Sequence, residues 1–369
     1  MDAGRPLRVL IVRVGAMGDV LHAMPAVAAL RERHPEWFIG WAVEPRWLPL
    51  LQASSSSLER SAAMPLIDHA YLAATRAWKR RPLSRETLGE IFSLRRELRG
   101  ERFDVCVDMQ GSIRSAVIGR MAGATRFAGL AAPREAPARW LYQQRVQVGA
   151  SHVIEQGCEL LGAAVGEVLR PAAVSLPVDE FAEASCSALL ARTLPGQERF
   201  VLLAPTAGWG AKQWPAERYG AVAAELGQAG YRVLVNASSM GYLPLAGAPI
   251  EDSTADAVVK ASGGNASALP CNVSQMIALV RRASLVIAGD TGPLHLAAAL
   301  GRPVVGLYGP TDPARNGPYG TRSRVLRHAV SVTDHSRRAS TEEGLMRITV
   351  DEVVAAALEL LGEQGKVVL

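Results

Sequence analysis

The chain has 369 residues, 49% hydrophobic and 20% charged, with a formal net charge of +5 at pH 7, a balance that excludes disordered and fibrous classes. The length exceeds one typical core and predicts two domains. Four widely spaced cysteines, Cys106, Cys158, Cys186 and Cys271, fit neither a zinc site nor a disulfide framework and read as buried reduced thiols.

In chain order, "RVLIVRV" reads as a strand, "GAMGDV" as a turn and "VLHAMPAVAALRERHP" as a helix ending near Pro35. "FIGWAVE" is the next strand. After an apolar and basic middle, "FDVCVDM" is a further strand and "GSIRSAVIGRMAG" a helix closing on glycine. The longest apolar runs, Val9–Val12 and Val304–Leu307, are strand-length and far short of a bilayer span. With no signal-peptide pattern, a cytoplasmic location is expected.

Charge is uneven. Residues 1–170 carry 23 Lys+Arg against 17 Asp+Glu, residues 171–369 carry 17 against 18. The densest part, "TRAWKRRPLSR", holds Arg76, Lys79, Arg80, Arg81 and Arg85 around Trp78. Such a run suits nucleic acid, anionic head groups or an acidic ligand, and equally a solvated loop leading into a helix.

A proline-bearing stretch around 168–181 without periodicity marks the expected boundary at 172/173. The second half repeats the pattern. "RFVLLAP", "YRVLVNA", "SLVIAGD" and "RPVVGLY" are strands, "AERYGAVAAELGQAG" and "SQMIALVRRA" helices, and "TVDEVVAAALELLGEQ" a final helix with a Thr349/Glu352 capping box. The expectation is two doubly wound α/β domains of Rossmann type facing a central cleft.

Two turns carry candidate chemistry in the second half. Asp290–His295 opens a helix whose free N–H groups favour a diphosphate, with Gly292 permitting close approach; Asp290 as a plain helix cap is the alternative. Lys212 in "GWGAKQWP" is a cation on a loop of small residues. In the first half, "VGAMGDVLHAMPA" is neither a dinucleotide fingerprint nor a Walker loop. Asp19, after Gly18, suits a general base and equally an N-terminal cap.

"RVLIVRVGAMGDVLHAMPAV", "VDMQGSIRSA", "PTAGWGAKQWP" and "GDTGPLHLAAALGRPVVGLYGPTDP" together resemble the lipopolysaccharide heptosyltransferases, glycosyltransferase family 9, over nearly the whole chain. The "MGDVLHAMPA" and "DMQGSIRSA" segments look more like heptosyltransferase I than heptosyltransferase II. The resemblance implies a GT-B fold with the acceptor on the first domain, the nucleotide-sugar on the second (173–345), and a C-terminal helix (346–369) crossing back to the first. It implies Asp19 as general base, Lys212 beside the departing ADP, and Gly18, Thr206, Asp290, Thr291, Gly292 and His295 around the donor ADP-heptose. Glu251 is a candidate for the ribose. It implies Arg76, Lys79, Arg80, Gln110, Arg114 and Arg120 near an anionic Kdo–lipid A acceptor.

No metal is expected, since there is no DxD pair. The implied setting is peripheral, on the cytoplasmic face of the inner membrane, with no nucleic-acid partner. Arg13 stands where the family usually has lysine, and "DHSRRASTEEGLMR" matches no pattern. Another sugar or acceptor, a nucleotide-sugar epimerase and a non-catalytic binder remain alternatives, separable by acceptor-dependent turnover.

Overall fold

A computed structural model describes residues 5–54, 59–196, 199–237, 253–334, 336 and 338–365. The chain divides into two compact units, Met1–Val178 and Asp179–Leu369. The division falls inside the proline-bearing stretch, a few residues past the boundary expected at 172.

The first unit runs β1 (Arg8–Val12), α1 (Met17–Arg33), β2 (Phe38–Val43), β3 (His69–Leu72), α2 (Thr75–Arg80), α3 (Arg85–Gly100), β4 (Val105–Asp108), α4 (Ile113–Ala122), β5 (Arg126–Leu130), β6 (Gln144–Val146) and α5 (Val153–Val165). Its six strands are all parallel, in the order β3-β2-β1-β4-β5-β6. Val9 to Val12 are fully buried, as a strand covered on both faces by helices requires. Ser112 caps α4, its hydroxyl accepting the Ser115 N–H, and Gly123 ends that helix at φ +66°, where a side chain would be strained.

The second unit runs α6 (Glu180–Thr193), β7 (Phe200–Ala204), α7 (Ala216–Gln228), β8 (Arg232–Asn236), α8 (Ser253–Ala261), β9 (Ala266–Leu269), α9 (Val273–Arg282), β10 (Leu285–Gly289), α10 (Gly292–Ala299), β11 (Val304–Tyr308), α11 (Pro313–Asn316), β12 (Ser323–Arg327), α12 (Glu343–Arg347) and α13 (Val350–Gly365). Its parallel sheet, β9-β8-β7-β10-β11-β12, repeats the strand order of the first. The expected α/β class and doubly wound sheets are present. Strands β3, β5, β6, β9 and β12 were not anticipated.

Thr349 and Glu352 form the expected capping box, Glu352 N–H to Thr349 Oγ1 at 3.2 Å and Thr349 N–H to Glu352 Oε2 at 2.8 Å. The helix they open packs on α7 and on β10, β11 and β12. Val353, Ala357 and Leu360 lie fully buried in the second unit's own core. The apolar face of α13 is spent on the sheet it follows. All four cysteines are buried thiols outside any disulfide.

Candidate active site

In each sheet the chain reverses direction of growth between its first and fourth strands, β1/β4 and β7/β10, and ligands of doubly wound sheets gather at the carboxyl ends there. In the second unit β10 ends at Gly289, Asp290 and Thr291 make the turn, and α10 begins at Gly292 and Pro293. Gly292 and Leu294 offer N–H groups with no intrahelical acceptor, and Pro293 has none to satisfy.

Asp290 is the hub. Its side chain is 5% exposed; Oδ2 lies 2.5 Å from Lys212 Nζ and accepts from Asn316 Nδ2 at 3.1 Å, while Oδ1 lies 2.9 Å from His295 Nε2. Burial alone would push this carboxyl up, but the His295 ring and the Lys212 ammonium outweigh it and hold it well below the usual carboxylate range. Lys212 also sits 5.2 Å from the centre of the Trp209 ring. Thr291 donates its hydroxyl to the Gly289 carbonyl at 3.3 Å, and Thr206 is half-buried after β7. A cation parked on a buried carboxylate beside a helix N-terminus suits a ligand bearing a strong anion.

The Lys212 loop is backed by the segment that matched no pattern. Ala211 N–H donates to the Arg338 carbonyl at 3.0 Å, and its own carbonyl accepts the Glu342 N–H at 3.1 Å. Thr341 Oγ1 donates to the Gln213 carbonyl at 2.8 Å and Trp214 Nε1 to the Ile348 carbonyl at 3.2 Å. A Cβ on Gly210 would lie 1.8 Å from the Ala339 oxygen, so only glycine allows this approach.

In the first unit Asp19 is the third residue of α1. Oδ2 accepts the Ala16 N–H at 3.0 Å and Oδ1 lies 2.7 Å from Arg13 Nη2, with the side chain 37% exposed. It is a cap and still open to solvent. Arg13 also donates to the Asp19 and Met109 carbonyls. Gln110 is a brace: its Oε1 accepts the Val14 and Gly15 N–H groups at 2.9 and 3.4 Å and its Nε2 reaches Ser112 Oγ at 3.0 Å. Beneath it Asp108, fully buried, accepts from Gln110 N–H, Gly111 N–H, Ser115 Oγ and Tyr142 OH. Burial pushes its carboxyl up, against the pull of those four donors.

Arg76, Lys79 and Arg80 are exposed on α2, a short helix where a loop was expected. Buried Glu44 holds its start, accepting Thr75 Oγ1 at 2.6 Å and Arg76 N–H at 2.9 Å. Arg46, which the sequence did not single out, packs 4.1 Å over Trp47; burial and the nearby Arg76 push it down to about 10. Arg114 is exposed in the first turn of α4, whereas Arg120 lies six residues on, about 9 Å along the axis at the far end of the helix. The structure thus gathers Asp19, Gly18, Arg13 and Gln110, and leaves Arg120 apart. Gly18 is the second residue of α1. Glu251 lies outside the described residues. Arg13 and Asn316 are the partners that sequence reasoning missed; Asn316 comes from α11, 26 residues beyond Asp290, with no local signal.

The family model "Glycosyltransferase family 9 (heptosyltransferase)" matches residues 91–346. Lipopolysaccharide heptosyltransferase 1 of Pseudomonas aeruginosa is 28% identical over 86% of this chain and 83% of its own. Lipopolysaccharide heptosyltransferase 2 of Salmonella typhimurium is 23% identical over 97% of this chain and 100% of its own. Among solved structures, E. coli heptosyltransferase WaaC with ADP is similar with a TM-score of 0.73 at 24% identity, over 96% of this chain and 100% of that one.

Proposed function

We propose that this chain, which belongs to glycosyltransferase family 9 (heptosyltransferase) and has the GT-B fold, transfers a heptose from ADP-L-glycero-D-manno-heptose to the Kdo region of lipid A during lipopolysaccharide core biosynthesis. Likeness to a heptosyltransferase 1 at higher identity than to a heptosyltransferase 2 favours the first-heptose reaction. The observation that carries the donor half is the Lys212–Asp290–His295 cluster at the start of α10.

In this reading the diphosphate takes Lys212 and the N–H groups of α10, and Asp290, kept in place by His295 and Asn316, accepts hydroxyls of the sugar. Asp19 takes the proton of the acceptor hydroxyl as that oxygen attacks the anomeric carbon opposite the diphosphate. The carbon–oxygen bond to the diphosphate breaks, ADP leaves with the electron pair, and the configuration inverts. Lys212 and the helix terminus meet the charge growing on the leaving group, so the proposal includes no metal. Thr206 and Thr291 line the donor side, and Glu251 is the candidate for the ribose.

The acidic acceptor is met by Arg76, Lys79, Arg80 and Arg114, whose side chains are exposed. The proposed setting is peripheral, at the cytoplasmic face of the inner membrane. Release of ADP from ADP-heptose, measured with and without a Kdo–lipid A acceptor, tests the reading: acceptor-dependent release is expected. ADP binding without release in either case would overturn it.

A further inference from the structure

We infer that one face of α3 is a docking surface for an anionic lipid bilayer. At 100° per residue, Arg85, Leu88, Phe92, Arg95, Arg96 and Arg99 fall on one stripe about 100° wide, and all six are exposed. The core-facing side is separate: Thr87, Leu94 and Leu98 are buried. Glu86, Glu90 and Glu97 are rotated to the opposite flank, where Glu86 pairs with Arg81, Glu90 accepts from Trp78 Nε1 and Glu97 from Ser93.

Two features of this stripe need an occupant. Phe92 is 62% exposed and Leu88 41%, and Leu83, just before the helix, is 86% exposed. Large apolar side chains held in water on one helix face mark a surface that is covered in use. Meanwhile the side chains of Arg85, Arg95 and Arg96 have no hydrogen-bond or ion-pair partner among the described residues. Between Arg76 and Arg102 nine Lys+Arg stand against four Glu, a net +5 that equals the charge of the whole chain. The remainder of the protein is therefore neutral in sum, and its positive field is concentrated here.

Apolar side chains interleaved with arginines, with the acids turned away, match the chemistry of a bilayer interface: Leu and Phe enter the boundary of the acyl region while the guanidinium groups meet lipid phosphates. A protein partner with an acidic face would satisfy the arginines but leave Leu83, Leu88 and Phe92 unexplained unless it were also apolar there. A bilayer supplies both layers at once. The inference deepens the proposed lipid-borne acceptor, yet it stands on α3 and not on the donor or catalytic residues.

The test is cosedimentation of the full-length protein with vesicles of phosphatidylcholine alone and of phosphatidylcholine with one-third phosphatidylglycerol, without any sugar donor or acceptor. Binding to the anionic vesicles, weak binding to the neutral ones and release by high salt are expected. Leu88→Ser with Phe92→Ser is expected to lower partition to anionic vesicles by about tenfold or more, and Arg95→Gln with Arg96→Gln by about fivefold per arginine, each with unchanged Tm because the sites are exposed.

No binding by the wild type, or equal binding by both variants, would overturn the inference. So would a concentration-dependent dimer dissolved by the serine variant, which would make a second copy the occupant. Vesicle binding with no transfer of heptose would strike only the proposed reaction; transfer with no vesicle binding would strike only this surface.

Discussion

In two sheets of the same strand order, Asp108 closes the fourth strand of the first and Asp290 stands in the turn just past the fourth strand of the second, and their surroundings are opposite. Asp108 has only neutral donors, two hydroxyls and two backbone N–H groups, and burial raises its carboxyl. Asp290 faces Lys212 and His295, and is held down. Topology decides where a buried carboxylate goes; its partners decide whether it ties a loop to its sheet or holds a cation. Asp108 is closed off by groups of its own unit, whereas the cation on Asp290 can be drawn away by a stronger anion.

The largest effect comes from the third carboxylate, which is neither closed off nor fully buried. Asp19→Asn is expected to cut turnover by about 10²- to 10⁴-fold with ADP affinity by calorimetry unchanged; wild-type turnover would remove Asp19 from the chemistry. Next, Asp290→Asn is expected to lower kcat/KM for the donor by about 100-fold, since Lys212 loses its anionic resting partner and an amide donor replaces one of the two acceptor oxygens. Asp108→Asn should change it less than about threefold, because the amide can accept the two N–H groups and donate to the two hydroxyl oxygens. Equal losses at the two sites would break the comparison. A smaller step is expected for Asn316→Ala: donor KM up by about three- to tenfold, kcat within about twofold.

The smallest effect is in stability against pH. An ionised Asp290 stabilises the fold above the unfolded carboxyl value of about 3.9, and that stabilisation is lost as pH falls toward its depressed folded value. Asp108 works the other way: its raised carboxyl makes ionisation costly, and the cost is relieved as pH falls through the folded value. Relative to wild type, the Tm of Asp290→Asn should fare worse at pH 7 than at pH 4, and that of Asp108→Asn better.

Seven strands were legible because their apolar runs, such as Val9–Val12 and Val201–Leu203, are buried on both faces and read that way. Strands such as "HAYL", "QRV" and "ASAL" were not. They are three or four residues long and partly exposed, and it is pairing to an already formed neighbour that makes them strands. At the site, Lys212, Asp290 and His295 could be named from resemblance, but their convergence on one carboxylate could not. Arg13 was visible as a departure from lysine, not as the partner of Asp19 across a strand, turn and helix start. Asn316 reaches Asp290 only because β10 and β11 are adjacent in the sheet, a fact of register rather than of spacing.

The fastening of the Lys212 loop to Arg338, Thr341, Glu342 and Ile348 has a consequence in time. Those anchors lie more than 120 residues downstream, so a chain growing from its N-terminus forms β7 and the loop well before anything can fix the lysine. The first unit can fold on the ribosome as synthesis proceeds. The second cannot set its cation until residues 338–348 have emerged, which leaves chains cut short before them without a fixed Lys212 beside Asp290.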